Sequence, residues 1–262
     1  MMKKDLKVAC VQCSLFWNNP EGNRSNISKV LSKLEKDVDI VVLPEMFTTG
    51  FSMDNKGAEN SKTNKTREWL KEMASAHHLA LTGSVKVEDD GKLYNRLYWV
   101  DEHQICEYDK RHLFTFAGED KSFTAGENLL IVNYQGWRIC PLICYDLRFP
   151  KWSRNLDQAG NSKYDLLIYV ANWPAVRSAP WSILLRARAI ENQAYLIGCN
   201  RVGSDNNGIQ YTGGSCILDS KGEELATTSP GNSQVLVAQL SSSDLLDFRE
   251  KFPVLLDGDH LL

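Results

Sequence analysis

Hydrophobic and polar positions alternate along this chain in two distinct rhythms. Residues 7–13 (KVACVQC) read as a strand. Residues 21–36 place Ile27, Val30, Leu31 and Leu34 at helical spacing. Residues 38–43 are nearly all apolar, as in a strand covered on both faces. A second helix follows at 66–78, carried by Trp69, Leu70 and Met73, and a further strand at 79–85. The middle of the chain then loses the helical rhythm. Strand-like runs at 96–101, 105–108, 129–134 and 137–143 succeed one another, separated by turn residues such as Asp89-Asp90-Gly91 and Gln135-Gly136. Helix–strand alternation resumes with a helix at 151–160, a strand at 165–171, a helix at 181–192 and a strand at 194–200. The end of the chain reads as strands at 214–219, 223–228 and 234–240, then a helix at 245–251. Helix–strand units on both sides of a hairpin-rich middle do not suit a singly closed barrel. They predict an α/β architecture with two mixed sheets and helices outside.

Length and charge narrow the picture. The chain has 262 residues, without an internal repeat or a dividing linker, and is expected to form one domain over 1–262. Thirty Lys and Arg stand against 33 Asp and Glu, a net charge of −3. Such a balance gives no reason to expect a nucleic acid or membrane partner. Eighteen consecutive apolar residues occur nowhere, and the first residues carry no secretory h-region. The expected setting is the cytoplasm, with thiols reduced.

Seven cysteines, an odd number, cannot all pair within the chain. Cys10 and Cys13 form a C-x-x-C, but inside a strand, where residues three apart point to opposite faces. They are expected to pack in the core, as are Cys106, Cys140, Cys199 and Cys216, all within strand-like runs. The five histidines make no metal-ligand spacing with cysteines, and no metal or cofactor is expected. Phosphate-loop, dinucleotide, H-E-x-x-H and G-x-S-x-G signatures are absent from the sequence. Cys144 differs from the other six: it closes an apolar run and is followed by Tyr145-Asp146-Leu147-Arg148. Glu45, Lys110 and Asn172 likewise follow strand-like runs. Ligand sites of α/β sheets gather at the carboxyl ends of strands, so Glu, Lys and Cys could meet in one crevice. Lys110 would then lower the thiol pKa and stabilise an oxyanion, while Glu45 would take the thiol proton. The bland alternative is a buried Glu–Lys pair beside a core cysteine.

The blocks Leu43-Pro44-Glu45-Met46-Phe47, Tyr108-Asp109-Lys110-Arg111-His112-Leu113-Phe114 and Leu142-Ile143-Cys144-Tyr145-Asp146-Leu147-Arg148-Phe149-Pro150 resemble, in order, the three signature blocks of the nitrilase superfamily of carbon–nitrogen hydrolases. Ala171-Asn172-Trp173-Pro174 and the 186–193 segment also fit. Residues 116–121 and 248–253 resemble bacterial omega-amidases, which hydrolyse monoamides of short 2-oxo-dicarboxylic acids. The resemblance implies a four-layer αββα sandwich that dimerises. It implies a thioester formed on Cys144, Glu45 as general base, Lys110 and the Tyr145 N–H on the oxyanion, and Glu119 positioning the amide. Trp173 would line the pocket or belong to the core. The implied partner is a small-molecule amide. An N-carbamoyl amidohydrolase, an aliphatic amidase or a nitrile hydrolase would use the same three residues, and an inactive binding protein would use none. Arg148, Arg177, Arg188 and Arg201 are the candidates for a substrate carboxylate. Arg148, inside a shared block, is expected to be structural.

Overall fold

A computed structural model of the chain describes residues 4–157 and 159–257. In chain order the elements are β1 (Leu6–Gln12), α1 (Pro20–Leu31), β2 (Ile40–Val42), β3 (Glu59–Asn60), α2 (Lys65–His77), β4 (Ala80–Asp89), β5 (Lys92–Val100) and β6 (Ile105–Asp109). They continue with α3 (Glu119–Ser122), β7 (Val132–Tyr134), β8 (Trp137–Ile143), β9 (Leu166–Ala171), α4 (Ser178–Asn192) and β10 (Tyr195–Asn200). The last are β11 (Val202–Ser204), β12 (Gln210–Thr212), β13 (Cys216–Leu218), β14 (Glu224–Thr227), β15 (Gln234–Leu240) and α5 (Ser242–Lys251).

Two mixed sheets stack face to face. The first runs β15-β1-β2-β4-β5-β6, with β3 beside β4; the second runs β14-β13-β10-β9-β8-β7. The centre of each is parallel (β1, β2 and β4 in one, β8, β9 and β10 in the other), and the outer strands are antiparallel except β3, which lies parallel to β4. The helices α1 and α2 bury Ile27, Leu31, Leu70 and Ala74 against the outer face of the first sheet. On the other side α4 lays Trp181, Leu185 and Ala189 on the second sheet. The strand here is cut to fit: a Cβ at Gly198 of β10 would stand 2.5 Å from a Leu185 methyl carbon. The result is an αββα sandwich, as the strand and helix rhythm suggested.

Parity along β1 separates the C-x-x-C pair. Cys10 lies in the core between the sheets, and Cys13 in the core under α1 and α2. Cys140, Cys199 and Cys216 are buried as expected, but Cys106 is only half-buried, because β6 is an edge strand.

Two expectations fail. Residues 151–153 form a turn and 154–157 no regular structure, where a helix was expected over 151–160. Ser, Asn and Asp side chains there compete for the backbone: Asn155 brackets Tyr164 through that residue's N–H and carbonyl, and the Asp157 carboxylate takes the N–H groups of Ala159 and Asn161. The hairpin β11–β12 was not foreseen either, since neither strand exceeds three residues. His260 lies outside the described residues.

Candidate active site

Glu45, Lys110, Cys144 and Asn172 all emerge at strand ends on the same side of the sandwich. Glu45 follows β2, Lys110 β6, Cys144 β8 and Asn172 β9. The two sheets face each other, so these ends converge although they come from different sheets.

Lys110 is the hub. Its Nζ donates to Glu45 Oε1 at 2.8 Å and to Glu119 Oε2 at 2.9 Å, and all three side chains are fully buried. Asn95 of β5 donates from Nδ2 to the same Glu45 oxygen at 2.8 Å and to Glu119 Oε1 at 3.3 Å. The second Glu45 oxygen accepts the Asn172 N–H at 2.8 Å, and the Phe114 N–H donates to Glu119 Oε2 at 2.6 Å. Each carboxylate is therefore held by several donors, which offsets the desolvation of three buried charges. The backbone is drawn in as tightly. Gly126 donates its N–H to the Lys110 carbonyl, and a Cβ at Gly126 would lie 2.1 Å from the Asp109 carbonyl oxygen, so only glycine fits.

Cys144 sits where β8 breaks into a 3₁₀ turn, at φ +43°, a conformation disfavoured for a residue with a side chain. The turn is held from below by Asp146. Its buried carboxylate accepts the Ile143 N–H at 3.0 Å, the Tyr108 hydroxyl at 2.7 Å and both the N–H and Nδ1 of His112. Tyr108 and His112 flank Lys110, so one carboxylate locks the cysteine turn to the lysine segment. Tyr145 is the second residue of the turn, ahead of the first intrahelical bond, where a backbone N–H has no partner within the turn.

The thiol faces an apolar cavity of about 240 Å³, walled by Phe51, Phe114, Tyr145, Trp173 and Tyr211. Trp173 is both core and wall: it is 4% exposed, and its indole N–H donates to the Arg177 carbonyl. Among the candidate arginines, Arg188 is tied to the Leu147 carbonyl and Glu191. Arg201 is buried under the Tyr211 ring, 4.6 Å from its centroid. Arg148 and Arg177 line the cavity instead, resting on the faces of Trp173 (5.0 Å) and of Phe114 and Phe116 (5.4 and 5.1 Å). Arg148, expected to be structural, thus also stands in the cavity wall.

Lys110 lowers the thiol pKa as expected, but its pull is outweighed. Burial pushes the Cys144 thiol well above its ordinary range, and the Glu45 carboxylate adds to this more than Lys110 subtracts. Burial works against the Lys110 charge as well, but Glu119 and Glu45 together hold its pKa above the usual lysine value. Burial likewise raises Glu119, against the pull of Lys110.

Asn95 and Asp146 escaped the sequence reading. Asn95 is a lone amide among Leu93, Tyr94, Leu97 and Tyr98. Asp146 sits two residues after the cysteine, as His112 sits two after the lysine. Only pairing across the sandwich makes these spacings meaningful. Among the described residues no cluster of three His, Cys, Asp or Glu side chains is arranged to hold a metal ion.

The carbon–nitrogen hydrolase family model matches residues 7–250. An omega-amidase YafV of Yersinia enterocolitica is 44% identical over 98% of this chain and 98% of its own length. A 2-oxoglutaramate amidase of Bacillus subtilis is 34% identical over 95% and 96%. Among solved structures, XC1258 from Xanthomonas campestris, a CN-hydrolase superfamily protein with an arsenic adduct in its active site, superposes with a TM-score of 0.95. It is 39% identical and covers 99% of each chain.

Proposed function

The chain belongs to the carbon–nitrogen hydrolase family, and from that premise we propose that it hydrolyses the terminal amide of short dicarboxylic acid monoamides of the 2-oxoglutaramate type. The observation that carries the reading is the buried Glu45–Lys110–Glu119 network directly behind Cys144 at an apolar cavity with two arginines in its wall. The cavity is smaller than the ~300–1,000 Å³ of drug-sized sites, which suits a short chain. Arg148 and Arg177 supply cations for the far carboxylate.

In this reading Glu45 takes the Cys144 proton as Sγ attacks the amide carbon. Lys110 Nζ and the Tyr145 N–H stabilise the oxyanion. Glu45 then returns the proton to nitrogen, the C–N bond breaks and ammonia leaves a thioester. Glu45 next deprotonates a water, which attacks the thioester; the C–S bond breaks, the acid departs and the thiol regains its proton. Glu119 keeps Lys110 charged and in place. The omega-amidase and 2-oxoglutaramate amidase names of the relatives favour this substrate class over carbamoyl, aliphatic-amide or nitrile substrates.

The near full-length matches support one carbon–nitrogen hydrolase domain over 1–262. A homodimer is supported by Ile183 and Ile190 on α4 and Val176 just before it, which are 66%, 48% and 87% exposed. Seven free cysteines support a cytoplasmic setting, and no helix among the described residues is long and apolar enough to cross a membrane.

Ammonia release tests the reading. Turnover of 2-oxoglutaramate is expected to exceed that of pentanamide, which has the same chain length without the acid. Arg148→Met is expected to raise KM for 2-oxoglutaramate roughly 10–100-fold, the loss of hydrogen bonds to a charged group, and to leave pentanamide kinetics nearly unchanged. Equal turnover of the two amides by the wild type would refute the substrate class. An equal loss on both amides in the variant would mean that Arg148 shapes the pocket without reading the acid.

A further inference from the structure

The strand that supports the Glu45 loop buries a second lysine. Lys86 of β4 is 0% exposed. A buried ammonium is costly unless its N–H groups are met, and here each of the three has an acceptor. Nζ donates to the Ser52 hydroxyl at 2.5 Å, to the Asp54 carbonyl at 2.6 Å and to the Lys56 carbonyl at 3.0 Å. The only carboxylate paired with it among the described residues, that of Asp54, is 3.5 Å away and 46% exposed. All three acceptors lie in one stretch, 52–56, immediately after Phe51. Phe51 is a wall of the cavity, and its ring centroid lies 5.2 Å from Lys110 Nζ.

The register of the sheet explains why a lysine stands there. Lys86 and Asn95 are partners across β4 and β5, so their side chains share a face, and Ser84 shares it two residues away. Ser84 Oγ accepts the Met46 N–H at 2.8 Å, and Asn95 donates to Glu45 and Glu119. One face of the hairpin thus grips the loop at its start through Ser84, at its glutamate through Asn95, and at its far end through Lys86. A neutral amine would bring two N–H groups to three acceptors. Burial pushes the Lys86 ammonium down to about 8, with the Asp54 carboxylate opposing the fall. The chain accepts this charge in the interior where an apolar side chain would bury more cheaply.

We propose that Lys86 is a positioning residue: its ammonium clamps residues 52–56 and so holds Phe51 against Lys110, setting how tightly the substrate is bound. The proposal rests on the amidase reading of the cavity. Glu45 is supported independently by Lys110, Asn95 and Asn172, so releasing the clamp moves Phe51 and leaves the base in place. The effect therefore falls on KM and not on kcat.

Hydrogen exchange of peptides covering 50–57, together with kinetics on 2-oxoglutaramate, tests this with the full chain. Lys86→Met is expected to exchange at least tenfold faster over 50–57, while β4 and β5 keep their protection. Its KM is expected to rise about tenfold with kcat within twofold. Ser52→Ala, which removes one prong, shifts both in the same direction by less. Unchanged exchange and KM overturn the proposal. So does a fall in kcat at constant KM, which would place the effect on Glu45. If Lys86→Met does not fold, the same two readouts on Ser52→Ala decide. If the wild type turns over no amide at all, the amidase reading falls, and the exchange measurement still decides whether the clamp exists.

Discussion

Replacing Cys144 by alanine is expected to abolish amide hydrolysis, with kcat falling roughly 10⁴- to 10⁶-fold, the scale seen when a covalent nucleophile is removed. The fold should survive. Alanine keeps the Cβ at φ +43°, and the turn is held by Asp146 rather than by the thiol. Far-UV circular dichroism and a thermal midpoint within a few degrees of wild type would show this. Substantial residual turnover with the fold intact would exclude the thioester route. The same residue makes a pH prediction. Burial and Glu45 raise the thiol pKa above its usual range. Alkylation of the thiol by iodoacetamide should therefore climb about tenfold per pH unit from 7 to 9. A rate already level across that interval would mean a preformed thiolate. Cys144 is itself buried and Cys106 is the more exposed thiol, so the rate is read on the Cys144 peptide alone by peptide mapping.

Lys110→Met is expected to damage stability and chemistry together. The ammonium is the shared partner of Glu45 and Glu119, all three without solvent exposure. Removing one member of such a group costs about 3–5 kcal/mol, a fall in thermal midpoint on the order of 10 °C for a chain of this size. Losing an oxyanion donor lowers kcat a further 10²–10³-fold. The stability loss should depend on pH. Two carboxyls left without their cation hold a proton more tightly in the folded than in the unfolded state. A raised folded pKa contributes stability below the unfolded pKa and loses it as pH rises through the folded one. The variant should therefore approach wild type near pH 5 and fall furthest behind at pH 8. A deficit that does not change with pH would mean that Lys110 acts through packing and not through charge.

Much of this protein is legible along the chain because the signals involved are local. Strand and helix rhythm located most elements within a few residues, since burying one face demands a period of 2.0 or 3.6 wherever the chain goes. The same logic separated Cys10 from Cys13 and singled out Cys144, Glu45 and Lys110 as polar residues at the ends of apolar runs. Where local signals compete, the reading failed. Residues 151–160 read as helical, but Asp157 takes the N–H groups of the turn after it and Asn155 ties the segment to Tyr164.

What the sequence by itself determined is therefore the layer pattern and the places of Glu45, Lys110 and Cys144 at strand ends. What only the tertiary structure decided is how these charges act on one another. The direction of the Cys144 shift depends first on burial and then on Glu45 outweighing Lys110 within a closed space, a sum that no spacing along the chain reveals. Arg148 and Arg201 are the same residue type in the sequence; one lines the cavity and the other is sealed under Tyr211. Asn95, Asp146 and Lys86 gain their roles from partners at least 30 positions away, such as Glu45, Tyr108 and Ser52. Electrostatic and hydrogen-bond energies depend on distance and burial in space. Those quantities exist only once the two sheets have closed on each other.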